Sequence, residues 1–172
     1  MTARRCSPMP ASVIGRRRWP TIQVVAVRRD ARQILAALGE TSADLTVSLV
    51  DDAEIHRLNR DYRGTDAPTD VLAFAMREGL RVAGDDRELG DVVISVDTAV
   101  RQAAGRHVPP AAEVRTLLIH GILHLLGYDH ERSAVEARRM RRKERALAGL
   151  LGPAGGIRRR GVHIRRPAAK DR

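Results

Sequence analysis

Cysteine is nearly absent: Cys6 is the only one in 172 residues. No disulfide can form within the chain, and no cysteine-based zinc cluster can be built from it. A reducing cytoplasm fits that usage. Aromatics are almost as scarce, with Trp19, Tyr62, Phe74 and Tyr128 the whole complement. The stacking platforms that grip single-stranded RNA are therefore largely missing, and any nucleic-acid contact should be electrostatic. No apolar run approaches the roughly 20 residues that span a bilayer, so no membrane role is expected. The segment Pro10–Gly15 is too short for the core of a secretory signal, although an acid-free, Arg-rich N-terminus has something of a transit peptide.

The formal net charge of +10 is unevenly placed. Residues 1–20 hold five arginines and no acid; residues 156–172 carry a net +6; residues 21–155 sum to −1. The basicity lies in the ends, where it is either a non-specific handle for polyanions or the mark of an Arg-rich genome. Residues 1–20 are expected to be a disordered basic extension, 21–151 a single folded domain, and 152–172 a disordered basic tail.

Between the ends, periodicity alternates between strand and helix. Strands are expected at Thr21–Val27, Asp44–Val50, Val71–Phe74 and Gly90–Ser95. Helices are expected from Asp30 as cap to Gly39 as stop, after Asp51 or Asp52, and over Asp97–Ala104. Two more should run from Pro110 to Leu126 and from the Ser133/Glu136 capping box to about Leu150. Residues 59–70 have the Gly, Pro, Asp and Thr content of an ordered loop, and 77–89 are acidic and irregular. The fold class is α/β (α+β): one layered domain with a small mixed four-stranded sheet and about five helices.

Three of the six histidines fall within eleven residues, His120-Gly-Ile-Leu-His124-Leu-Leu-Gly-Tyr-Asp-His130. His120 and His124 lie about 40° apart around a helix and one turn apart along it, so their imidazoles can converge. A continuing helix would carry His130 ~9 Å farther along the axis. Gly127 is a natural helix terminator, and the chain can fold back behind it to present His130 from the side. Three neutral imidazoles leave a divalent zinc with an open tetrahedral position, the catalytic pattern. A water there loses its proton near neutral pH and becomes a nucleophile suited to a phosphodiester. The Glu that follows the first His in metalloproteases is replaced by Gly121, which argues against peptide cleavage. A residue without a side chain there would also let another element come close. Asp129 either orients a water or ligand imidazole or caps the turn. His56, His107 and His163 have no such partners and are expected to be ordinary.

With these residues in view, the histidine segment resembles the signature of the YbeY family of bacterial endoribonucleases and rRNA maturation factors. Asn59–Phe74 (NRDYRGTDAPTDVLAF) and Leu89–Ser95 (LGDVVIS) are similar to two further blocks of that family, and the helix from Glu136, with Met140 and Glu144, also fits. The resemblance covers roughly residues 21–151. It implies one zinc ion on His120, His124 and His130, with Arg63 and His120 as catalytic residues. It also implies a single-strand-specific endoribonuclease acting in 16S rRNA 3′-end maturation and late small-subunit assembly or quality control. Ribosomal RNA and the 30S subunit, its proteins or its assembly factors are the implied partners. On its own chemistry Arg63 can clamp phosphate bidentately or pair with Asp66 or Asp70. Ala73 and Ala75 stand where the family usually has Ser and often has Pro. The competing functions are a non-catalytic ribosome-assembly factor with a zinc-braced fold, and a zinc hydrolase of amides or esters.

Overall fold

Alternating apolar residues at Leu45, Val47 and Leu49 make Asp44–Val50 (β2) the spine of a mixed sheet, with one face buried and the intervening Thr46 and Ser48 only half-buried. The computed structural model describes residues 11–15, 18–76 and 87–153. Strand order is β1-β2-β4-β3, where β1 is Ala11–Gly15, β3 is Val71–Ala75 and β4 is Glu88–Ser95. β1 and β4 run parallel to β2, and β3 pairs antiparallel with β4. Five helices complete the element order: α1 (Val24–Ala37), α2 (Asp52–Arg63), α3 (Val96–Arg106), α4 (Pro110–Leu125) and α5 (Ala134–Leu151). Among the described residues, the α/β layered class and the four-strand, five-helix count are therefore as expected.

Several boundaries differ from the sequence reading. The β-branched run Thr21–Val27 is not a strand; its second half opens α1, capped at Gln23. Helical spacing of Val27, Ala31, Ile34 and Leu35 outweighs local β propensity, because those four bury together against the sheet and α4. Asp30 is consequently no cap. It is buried inside α1 and meets the buried Arg115 of α4 at 2.9 Å. The real edge strand is β1, within the segment read as extension. Ala11 and Val13 alternate inward there, which is enough to dock five residues on β2. Residues 1–10 and the tail from 154 onward, with His163, lie outside the described residues, as do 77–86 of the irregular segment; Glu88 and Leu89, read as part of that segment, belong to β4.

α4 is the central helix. Val114, Leu118, Ile119, Ile122 and Leu123 are buried in the main core with Val92 and Ile94 of β4. A methyl group placed on Gly121 would meet Val92 Cγ1 at 2.6 Å, so only glycine allows α4 this close to the sheet. The opposite face is smaller: Ile55 of α2 packs with Val50, Leu72 and Val93. Asp52 ties α2 to the start of α3, accepting hydrogen bonds from Ser95 and Thr98 and pairing with Arg101 at 2.7 Å. The α2 and α4 layers thus clasp β3 and β4 from either side. Among the described residues, no helix is long and apolar enough to cross a membrane.

Candidate metal centre and its cleft

The last turn of α4 closes as a Schellman motif. Gly127, at φ 82°, donates to the His124 carbonyl at 3.0 Å, and Tyr128 donates to the Leu123 carbonyl at 3.1 Å. This left-handed residue reverses the chain and returns His130 to the helix flank. Ligand nitrogens of His120, His124 and His130 all lie within 4.8 Å of one another. The Nε2 atoms of His120 and His124 are 3.1 Å apart, close to the about 3.4 Å separation of two nitrogens on a tetrahedral zinc. Donor chemistry and spacing both suit a divalent ion.

Glu144 of α5 supplies what local spacing could not reveal. Its Oε1 lies 2.8 Å from His120 Nδ1, so Nδ1 carries the proton and Nε2 turns its lone pair to the centre. A signal for this residue exists in the sequence. Met140 and Leu147 mark the inward stripe of α5, and Glu144 falls on the same stripe, where a carboxylate needs a partner. Burial, followed by the charges of His120 and His130, holds His124 below its ordinary imidazole pKa, against a smaller opposing pull from Asp129. At neutral pH His124 is neutral, the form that binds metal.

Asp129 takes the turn-forming alternative. Its Oδ1 accepts the Glu131 backbone N–H at 2.8 Å and its Oδ2 pairs with Arg132 at 3.2 Å. That backbone hydrogen bond, ahead of a small opposing burial effect, holds the carboxyl below its usual range. The carboxylate that orients an imidazole of the cluster is Glu144.

Arg63 sits across a cleft of about 600 Å³ that it lines together with the three histidines, Asn59, Asp70 and Asp129. The expected loop begins later than residue 59: α2 continues to Arg63 and ends at Gly64 in the left-handed region, φ 68°. Arg63 is thus the final helical residue, exposed at the cleft rim. It pairs with neither Asp66 nor Asp70; one guanidinium nitrogen donates to the Ala73 carbonyl at 3.0 Å. Asp66 pairs instead with His56 at 2.8 Å. The loop after Gly64 is pinned by buried Asn59, whose side chain donates to the Ala67 carbonyl at 2.8 Å. Asp70 is held by Gln102 of α3 at 3.0 Å. His107 is a left-handed helix terminator far from this chemistry in the chain, φ 55°.

A family model described as Endoribonuclease YbeY matches residues 16–152. The chain is 44% identical over 148 residues to a Geobacter metallireducens protein of that name, covering 86% of this chain and 99% of that protein. An Anaeromyxobacter protein of the same name is 46% identical over 161 residues, covering 94% of this chain and 78% of its own length. That second match extends beyond residues 21–151, over which the sequence resemblance is drawn. In three dimensions the chain is similar to a Thermotoga maritima protein solved in solution, with TM-score 0.59 and 26% identity over 82% of this chain and 88% of that one.

Proposed function

The chain belongs to the YbeY endoribonuclease family, and on that premise we propose that it is a zinc-dependent, single-strand-specific enzyme acting on ribosomal RNA. The segment it matures is the 16S 3′ end, in late small-subunit assembly or quality control. The observation that carries the reading is one cleft bearing a three-histidine centre on one wall and, on the other, an arginine that pairs with no carboxylate among the described residues.

His120, His124 and His130 would hold the ion. When bound there, it supplies Lewis acidity for a phosphoryl oxygen and a water of lowered pKa. The chain's own residues do the rest. Glu144 keeps the His120 tautomer in register with the centre. Arg63 anchors one nitrogen on the Ala73 carbonyl and keeps its other N–H donors for phosphate oxygens, gathering the charge that builds up during cleavage. Because single strands bend and splay more easily than duplexes, they can enter a cleft flanked by α2 and the α4–α5 turn. Peptide hydrolysis is disfavoured: the position of a protease's glutamate is Gly121, packed onto Val92, where no side chain fits.

The test is cleavage of a defined rRNA 3′-end precursor by purified protein beside Arg63→Ala, with zinc measured on both. Cutting by the wild type, and a zinc-loaded but inactive variant, is the expected result. If both bind zinc and neither cuts the precursor within small-subunit particles, the assembly-factor reading replaces this one. Undiminished cutting by metal-stripped protein removes the zinc requirement.

A further inference from the structure

The charge of α5 is left over once the cleft is explained. The helix carries six basic residues against two acids, although residues 21–155 as a whole sum to −1. At 100° per residue, Arg138, Arg141, Arg142 and Arg145 share an arc of about 100°. All four are exposed, and the arc is turned away from buried Ala137, Met140 and Leu147. Like charges three and four residues apart repel on a helix, so this stripe opposes the helix that bears it. Among the described residues none of the four forms an ion pair: Glu144, the nearest acid, is engaged by His120, and the pair on α5's outer side joins Arg139 to Glu136 at 3.6 Å, outside the stripe. α2 is the internal control. Its three acids and three basics balance, and Arg57 and Arg60 pair with Glu54 and Asp61.

Position adds to charge. Glu144, which braces His120, lies next to Arg145 and one turn from Arg141. Arg139 stacks over Tyr128, itself a lining residue of the cleft, at 5.1 Å. α5 thus reaches the cleft through Glu144 and Arg139, and the stripe runs beside them for ~10 Å along the helix, a length greater than one nucleotide of strand.

We infer that Arg138, Arg141, Arg142 and Arg145 form a phosphate track that holds the RNA strand where it emerges from the cleft. This rests on the endoribonuclease reading for its ligand, and it assigns a length preference: RNA reaching beyond the cleft binds more tightly than RNA that only fills it. The contacts are to backbone, so they carry affinity without base preference. Glutamine at all four positions leaves the core untouched.

The experiment measures equilibrium binding of two single-stranded RNAs to full-length protein across a salt series. One spans only the cleft and the other extends beyond it. For the long RNA, Arg138→Gln/Arg141→Gln/Arg142→Gln/Arg145→Gln should lose about tenfold or more in affinity. Its log–log salt slope should flatten by about 0.7 for each phosphate released. Binding of the short RNA should stay unchanged, and the four lysine replacements should restore the long-RNA slope. The control Arg57→Gln/Arg60→Gln on α2 should keep it too. Because the basic ends are common to every variant, the difference isolates α5. An unaltered slope in a glutamine variant that melts like wild type overturns the track, as does equal loss on both RNAs. Binding is read without cleavage: wild-type protein that binds with the predicted slope but never cuts spares the track and defeats the nuclease reading, and the reverse spares the nuclease alone.

Discussion

On the histidine side of the cleft, position is set by packing: α4 lies against β4 with no atom to spare at Gly121, and a glycine-terminated turn brings back His130. On the Arg63 side, position is set by hydrogen bonds at the surface, from Asn59 to the Ala67 carbonyl, from Arg63 to the Ala73 carbonyl, and between His56 and Asp66. The division suits the two tasks. Metal ligands must converge within tenths of an ångström, which a close-packed interior enforces. A guanidinium has several donors and tolerates small shifts of a phosphate, so an adaptable rim suffices. Damage to the first wall should therefore cost the metal or the fold, and damage to the second should cost catalysis alone.

The sharpest way to break this contrast is at the ligands. His124→Ala should bind no stoichiometric zinc and lose cleavage to background, read by metal analysis beside an RNA gel. Arg63→Ala should lower kcat/KM by about 10²–10³-fold, the range for removing one charge-stabilising donor. Its metal content and melting temperature should stay at wild-type values. A variant that also sheds its zinc would merge the two walls. Glu144→Gln should weaken zinc affinity by about 10–100-fold, measured by competition with a chromogenic chelator. Gly121→Ala tests the packed wall directly. The gain in helix propensity is about 1 kcal/mol, but its Cβ would overlap the buried Val92, and overpacking costs about 1–3 kcal/mol. Net destabilisation in a urea titration is expected.

The smallest effect belongs to acid. Burial raises the pKa of Asp52, but hydrogen bonds from Arg101, Ser95 and Thr98 together outweigh it and leave the carboxyl below its ordinary 3.8. A lowered folded-state pKa means that the unfolded chain binds the proton first. The stabilisation is complete above the ordinary value and fades as pH falls through the lowered one. Wild type and Asp52→Asn should differ at neutral pH and converge in strong acid. Since Asp52 anchors α2, the Arg63 wall should loosen first, seen as faster amide exchange in α2 than in α4.

What the sequence made legible follows the same division. The histidine cluster is legible because helix period and a terminating glycine are local rules, acting over the eleven residues from His120 to His130. Asp44–Val50 was readable because one face of β2 is buried and the other is not. The misread start of α1 is a case where propensity and burial disagree: Val24 and Val27 favour strands in isolation, but partners in α4 and the sheet decide. β1 was missed because two inward residues between a proline and an arginine run make too short a pattern. Glu144 is 24 positions from the imidazole it serves, and only helix packing joins them. Arg63 was placed in a loop because Gly64, not the polar run from Asn59, is where the helix stops.

The reversal at Gly127 has a further consequence, in the order of assembly. All three histidines belong to one helix and the turn behind it, so gathering them needs little chain closure, although packing on β4 and α5 sets their final positions. The rim that carries Arg63 comes from 57 residues earlier than His120, and the edge strand β1 from earlier still. Contacts over long sequence separation form late because chain closure opposes them. On the proposed reading, the imidazole cluster depends on few long-range contacts and the two-walled cleft on many. When denatured protein refolds, zinc uptake should therefore come before RNA cleavage as successive gains of one folding reaction.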